Sequence, residues 1–431
     1  MIKVSFLLPV VWLSFGSVTL FAQNAASANQ PAQMPGFKTD SGSVALAPDS
    51  SEGEAVSSGL NKSKGGFFSN LPVDLTATVR TGYDTNVYYA TTNPLGSMYS
   101  SVGGSMSHSF SNSRLQIKTL LGGGASIYYS EPGNNMLYTG NFNLDLQYKL
   151  APRLQLTFSN TTQYLPQPSY GLVGGNTQYN SAYIYENAKI DLAVQISPKF
   201  SAITSYDFME FYYLQQAANS TQGYIQQTLS ESIQHLFLPK TTLVLEARLS
   251  PTTYNTSGQY SVASYLLVGV NQTFNPRLKF TMRTGGEYVT NQNPISGAST
   301  QILPFWESRL TYNFGPASSL SWDARFGTES AGMANTNMSP TFRTGFSIMH
   351  ALTARIALNM GLYYINNRYQ QQAPAANYSK NTGEFTLGAM YKINRYMSLE
   401  LGYSFSDVIS QGQSGLDYNR QTFYAGAAFA L

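Results

Sequence analysis

The chain has 431 residues, with 25 Lys and Arg, 22 Asp and Glu, 3 His and no Cys. Charged residues make up 11% of it, against about 25% in a typical soluble domain, whereas aromatic residues reach 13%. The absence of Cys excludes disulfides and thiolate metal sites, and a net charge of +3 gives no basis for nucleic-acid binding. The composition suits a β architecture that is apolar on one face and neutral-polar on the other.

The first residues have the organisation of a secretory signal peptide. Lys3 provides a positive start, an apolar stretch runs from Val4 to Phe21, and small residues follow at Ala22 and Ala25. We predict a signal peptide over residues 1–23, with an uncleaved transmembrane anchor as the alternative. Residues 24–70 are rich in Ser, Gly, Ala and Pro and have no periodicity, which predicts a disordered periplasmic tail.

From residue 71 to residue 431 the apolar side chains recur with a period of two. In Met397–Phe405, for example, the odd-numbered residues are apolar and the even-numbered residues are polar or small. Successive side chains of a strand point to opposite faces, so this pattern predicts strands with one apolar face.

The connections between these segments alternate in length. Eight short turns, several with Pro, alternate with nine longer loops rich in Asn, Gln, Gly and Ser, and together they separate about 18 strands. This alternation is typical of outer-membrane barrels. We predict an all-β, transmembrane antiparallel up-and-down β-barrel of 18 strands over residues 71–431, with both termini periplasmic. A count of 16 is the alternative, because Gly223–Leu238 is poorly patterned and places Glu231 on the lipid face unless a bulge corrects the register.

Catalytic arrangements are poorly supported. Ser107 and Ser109 flank His108, but adjacent strand residues face opposite sides and cannot form a dyad. The other histidines, His235 and His350, have no nucleophile or metal-ligand pattern beside them. We predict that the protein is not an enzyme and that it has no cofactor and no metal site.

Charged side chains project onto the face opposite the lipid face, where cations and acids nearly balance. Several residues two positions apart share this face and can form ion pairs: Glu246 with Arg248, Glu307 with Arg309, Asp323 with Arg325, and Lys189 with Asp191. A balanced lumen argues against strong ion selectivity, although the later arginines leave open a cationic patch for acidic sugars. The predicted pore-lining residues are Arg80, Lys149, Arg248, Arg283, Arg309, Arg325, Arg343, Arg355, Glu246, Glu307, Asp323 and Glu400.

Tyrosines gather towards the longer loops. Some of them are expected in the aromatic girdle at the membrane interface, and others could stack on sugar rings. The pattern alone does not separate the two roles for residues such as Tyr183, Tyr212, Tyr213, Tyr254 and Tyr364.

The segment Arg80–Tyr88 reads RTGYDTNVY. It resembles the opening signature of the family described as Putative beta-barrel porin 2, in which a Gly and a (D/S/T)N pair end the first strand. The paired strands that follow are similar throughout Val73–Leu431. The resemblance implies an outer-membrane component of exopolysaccharide production and secretion, without catalytic residues, and a capping or turn role for Asp84 and Asn86.

The pattern of strands and connections predicts a pore in the outer membrane of a Gram-negative cell, and the resemblance implies that it passes exopolysaccharide. The alternatives are a general diffusion porin for small solutes and a non-conducting structural or adhesive outer-membrane protein. The expected partners are outer-membrane lipid and either hydrated polysaccharide or small polar solutes, with periplasmic export components as further candidates; nucleic acid is not expected.

Overall fold

A computed structural model describes residues 73–130, 136–166, 182–214, 223–255, 259–292, 300–330, 339–369, 377–412 and 416–431. The predicted signal peptide and tail lie outside these residues. The described chain forms 18 strands: β1 Asp74–Asp84, β2 Ser97–Ser111, β3 Leu115–Tyr128, β4 Met136–Ala151, β5 Leu154–Leu165, β6 Tyr183–Gln195, β7 Phe200–Tyr213, β8 Tyr224–Leu238, β9 Thr241–Tyr254, β10 Tyr260–Asn275, β11 Leu278–Gln292, β12 Thr300–Gly315, β13 Ser318–Glu329, β14 Ser339–Ala351, β15 Ile356–Tyr369, β16 Tyr378–Lys392, β17 Met397–Gln411 and β18 Tyr418–Ala430.

The strands form one closed antiparallel sheet. Each strand pairs with its neighbours in sequence, and β1 also pairs with β18, from Thr76 opposite Ala430 to Asp84 opposite Thr422. Closure leaves no free sheet edge, which is the condition for a β structure in lipid. The predicted up-and-down barrel is therefore confirmed, and the strand count is 18 rather than 16.

Short and long connections lie at opposite rims of the barrel. The eight short turns contain two to four residues each and define the short-turn rim; the nine longer connections define the long-loop rim. Asparagine begins several short turns: the side-chain oxygen of Asn275 accepts hydrogen bonds from the backbone N–H of Arg277 at 2.8 Å and of Leu278 at 2.9 Å. Asp74 and Ala430 both lie at the short-turn rim, so the two ends of the barrel wall share one side, as predicted.

The two faces of the wall differ as the alternation predicts. Large apolar side chains stand exposed on the outer face, among them Val102, Leu266 and Ile302, and the last is 77% exposed. An exposed apolar belt around a closed barrel is the surface that a bilayer covers. No helix in the described ranges has the length and hydropathy to cross a membrane.

Strand β8 keeps Glu231 on the outer face. Its pairing with β7 is regular throughout, and the one register shift against β9 falls between Leu236 and Leu238, beside the short turn. The bulge that would have turned Glu231 inward is therefore absent from this part of β8. The carboxylate instead accepts a hydrogen bond of 2.6 Å from the hydroxyl of Thr204 on β7.

We expect Glu231→Leu to stabilise the barrel. A carboxylate on the lipid face opposes burial in hydrocarbon, so its replacement should raise the free energy of unfolding by about 1–2 kcal/mol. Urea unfolding in lipid vesicles, followed by tryptophan fluorescence, measures this change. Ile233→Leu on the same face of β8 is the control and should change stability by less than about 0.5 kcal/mol. A loss of stability in Glu231→Leu would contradict the placement of this side chain.

Candidate functional site: the barrel lumen

Four predicted lining residues form one ion-pair network on β9, β11 and β12. Arg248 bonds to Glu246 on its own strand and to Glu307, with an Nη1–Oε2 distance of 3.2 Å. Arg283 reaches Glu246 from β11 at 3.3 Å and is fully buried. Strand β9 pairs with neither β11 nor β12, so the network links parts of the wall that backbone hydrogen bonds do not join directly.

Other predicted pairs take different partners. Arg309 binds Asp323 on β13, so Asp323 does not pair with Arg325 and Glu307 does not pair with Arg309. Across the seam between the first and last strands, the guanidinium of Arg80 lies 2.9 Å from the carboxylate of Glu400 on β17.

Two further predicted lining residues lie towards the short-turn rim. Lys149 is exposed near the end of β4. Arg355 stands in the turn 352–355, before β15 begins, and is also exposed. Both positions lie at the mouth of the barrel rather than deep in its wall.

Two residues outside the predicted lining hold important positions. Glu329, at the end of β13, receives two hydrogen bonds from Arg343, of 3.1 and 3.0 Å. Arg420 on β18 binds the carboxylate of Asp84, and its Nη2–Oδ2 distance is 2.6 Å. The two-residue alternation could have found Arg420, because it shares the lumen face with Thr422, which pairs with Asp84.

The first long connection, residues 85–96, is anchored to the seam between β1 and β18. Thr85 and Gln421 exchange two hydrogen bonds, through the backbone N–H of each. The side chain of Asn86 donates to the backbone carbonyls of Ala90 at 2.9 Å and Asn419 at 3.0 Å, and accepts from the Ala90 N–H at 2.8 Å. Asp84 accepts from the Asn86 N–H at 3.0 Å. Asp84 and Asn86 thus have the turn role expected from the family signature.

The loop then packs against residues of the inner wall. Val87 is buried with Tyr99 and Tyr128, and Tyr424 packs against this cluster. Tyr89 adopts a left-handed φ of 55° and packs edge-on to Tyr418, with ring centroids 5.3 Å apart. Its hydroxyl accepts a hydrogen bond of 2.6 Å from Arg420.

The first part of the loop therefore folds into the lumen beneath the long-loop rim. Tyr89 joins a cluster that includes Ile365 on β15 and Val408 on β17, as well as Tyr418 on β18. A loop that starts at the end of β1 thus covers part of the inner wall over the last strands of the barrel.

Gly82 makes this packing possible. A Cβ atom at this position would stand 2.2 Å from the backbone oxygen of Phe423 and 2.7 Å from the ring of Tyr99. Only a residue without a side chain fits between the closing strand and that ring. The Gly of the family signature therefore has a packing reason here.

A second aromatic cluster fills the lumen side of β5–β9 towards the long-loop rim. Its rings pack in sequence, with Tyr185 and Phe211 centroids 4.8 Å apart and Phe211 and Tyr224 5.1 Å apart. By contrast, Tyr212 and Tyr364 are exposed on the outer face, where a girdle would lie. The structure thus separates the two tyrosine populations. The inner cluster consists of Leu165, Tyr183, Tyr185, Met209, Phe211, Tyr213, Tyr224 and Tyr254.

The neighbouring arc of the wall, on β1–β4, is lined by small residues. A cavity of about 70 Å³ lies against β1–β4, where Gly, Ser and Thr predominate; Ser101, Gly124 and Thr139 are examples. A second cavity of about 60 Å³ lies against β14–β18 and shares Glu400 and Tyr424 with the seam. The described lumen therefore has one arc of bulky, paired side chains and one arc of small side chains.

Residues 305–431 match the family model described as Putative beta-barrel porin 2. The match runs from within β12 through β18 and confirms the resemblance that the first strand suggested. Together with the closed barrel, it supports a porin-like outer-membrane pore. The comparison with curated proteins finds no match.

Several solved barrels are similar in outline. OccK9 (OpdG) of Pseudomonas aeruginosa has 9% identity and a TM-score of 0.43, covering 85% of this chain and 100% of that one. OccAB4 of Acinetobacter baumannii has 10% identity and a TM-score of 0.42, covering 84% and 98%. The siderophore receptor PirA of Pseudomonas aeruginosa has 11% identity and a TM-score of 0.39, covering 83% and 80%. These TM-scores lie below 0.5, so the similarities carry no argument about this chain. The barrel class is established by the chain's own strand pairing.

The anchoring of the first loop can be tested with a single thiol, because the chain has no Cys. Val87→Cys introduces a buried reporter in the loop, and Asp84→Asn removes the charge that binds Arg420. Charge-assisted hydrogen bonds contribute about 1.5–3 kcal/mol, so we expect the thiol to react with a polar maleimide roughly tenfold faster in Asp84→Asn.

The matched control is Glu400→Gln in the same Val87→Cys background. It breaks the Arg80–Glu400 pair at the same seam without contacting the loop. Its labelling rate should stay close to that of the parent. If the labelling rate rises equally in both variants, the seam opens as a whole and Asp84 does not specifically anchor the loop.

Proposed function

We propose that this protein is a non-enzymatic pore of the Gram-negative outer membrane through which hydrated polysaccharide chains pass. The observation that carries the proposal is the arc of small and polar side chains on β1–β4. Hydroxyls of Ser101, Ser105 and Thr139 and the amide of Asn141 face a cavity that is continuous with the small-residue wall of β2 and β3. Such groups exchange hydrogen bonds with sugar hydroxyls as they do with water, without holding a chain in place.

The paired charges of the other arc support the same proposal. Most lumen arginines already bind a carboxylate, including Arg80, Arg248 and Arg343. A wall whose charges satisfy one another does not attract one sign of small ion strongly. It therefore suits a large, strongly hydrated solute.

A general diffusion pore for small solutes is the second candidate. It is favoured by the in-folded first loop and by the buried aromatic cluster around Phe211, because both take up lumen space near the long-loop rim. The two candidates differ in cargo. Deleting the protein should leave exopolysaccharide in the periplasm if the first is correct, whereas normal export with impaired nutrient uptake would select the second.

Conduction itself is tested by narrowing the lumen at the arc of small side chains. Thr139 on β4 lines the larger cavity, so Thr139→Trp should lower the single-channel conductance in planar bilayers by roughly half. Tyr138→Trp changes the preceding residue, which is exposed on the outer face, and should leave the conductance unchanged. A purified wild-type barrel that never conducts would instead support a structural or adhesive role.

A further inference from the structure

Arg325 is a lumen arginine without a direct partner. It lies on β13, opposite Glu307 on β12 and Arg343 on β14. Among the described residues it makes no ion pair and no hydrogen bond, and its Nε is buried without an acceptor. Its guanidinium lies over the ring of Phe305 at 5.5 Å, and part of the side chain remains accessible in the lumen.

The surrounding carboxylates are occupied by other donors. Glu307 takes two hydrogen bonds from Arg248, and Glu329 takes two from Arg343. Glu287 accepts from the Tyr265 hydroxyl at 2.8 Å and from the backbone N–H of Thr328 at 2.9 Å. No acid of this cluster is therefore left within bonding distance of Arg325.

Two further guanidinium groups, those of Arg343 and Arg248, lie near Arg325 in the lumen wall. Arg343 stands directly opposite it across the β13–β14 pair, and like charges in that relation destabilise a sheet. Arg248 lies 5.5 Å from the same Phe305 ring. Three guanidinium groups thus converge: Arg248 and Arg343 bind Glu307 and Glu329 directly, whereas Arg325 makes no direct ion pair with a described residue.

We propose that Arg325 is an anion-binding residue of the lumen and that it takes the carboxylate of an acidic sugar unit. The planar guanidinium presents paired N–H donors that match a carboxylate. Phe305 fixes its orientation from one side, and Tyr265 packs edge-on to Phe305 at 5.1 Å, which adds an aromatic wall beside the charge. This inference rests on the proposed function, since it names the chemistry of a saccharide that the pore would pass.

The test compares two trisaccharides of equal length as blockers of the full-length protein in planar bilayers. Tri-galacturonic acid carries carboxylates, and maltotriose is neutral. We expect tri-galacturonic acid to reduce the current at lower concentration than maltotriose does in the wild type. Arg325→Gln should raise its half-blocking concentration about tenfold, as expected for loss of a charge-assisted pair, and should leave the weak block by maltotriose unchanged.

Arg309→Gln is the matched control. It removes one lumen cation, as Arg325→Gln does, but from a residue that is paired with Asp323. A long-range effect of net charge would appear equally in both variants and would overturn the site. Arg325→Lys keeps the charge without the paired donors and should give an intermediate value. Equal block by the two sugars in the wild type would also overturn the proposal.

Binding can be measured without conduction. Equilibrium dialysis of tri-galacturonic acid against the detergent-solubilised full chain should show weaker binding to Arg325→Gln than to the wild type and to Arg309→Gln. If the wild type binds the acid but never conducts, the pore function fails and the site stands. If the pore conducts and the three proteins bind the acid equally, the site fails and the pore function stands.

Discussion

The pairing of β1 with β18 is the interaction on which the rest of the structure depends. Without it the sheet would have two edges of unpaired backbone groups, and such edges cannot face hydrocarbon. The seam runs from Thr76 opposite Ala430 to Asp84 opposite Thr422. Every lumen contact described above presupposes this closure, because only a closed wall has an inside.

The seam also carries side-chain contacts. Arg80 binds Glu400 two strands away, and Arg420 binds Asp84 where β1 ends. The second pair continues into the first loop through Tyr89 and Asn86. Closure of the wall and placement of the loop in the lumen are therefore coupled at one place, and a family signature that ends the first strand with Gly and an Asp/Asn turn has a physical reason there.

The inner wall has two regions of different composition, one with paired charges and one with small side chains. On β9–β14 the arginines and carboxylates mostly neutralise one another, which lets Arg283 and Glu246 be buried in the inner wall. Buried charges are tolerated only when they are paired and hydrogen-bonded. On β1–β4 the wall has few bulky side chains. Arg325 belongs to the charged arc, but it makes no ion pair with a described residue, whereas its arginine neighbours do.

The two-residue alternation, the turn residues and the lengths of the connections were enough to predict the strands, their number and the side on which both barrel ends lie. These features are local, because the pleat sends successive side chains to opposite faces and Asn or Pro bends the chain where it stands. The alternation even marked Glu231 as an outward residue, and the assumption of a bulge there was unnecessary.

The partners of the lumen side chains were decided only by the tertiary structure. Arg248 and Glu307 are 59 residues apart, and Arg420 and Asp84 are 336 apart. Neighbours two positions along a strand share a face, which predicted Glu246 with Arg248. The register of β12 and β13, however, sets Asp323 directly opposite Arg309, and the pair between Arg248 and Glu307 spans two intervening strands. Thus the sequence by itself determined which face each residue occupies, whereas closure, register and curvature decided which charges meet, where the first loop lies and which lumen arginine makes no ion pair with a described residue.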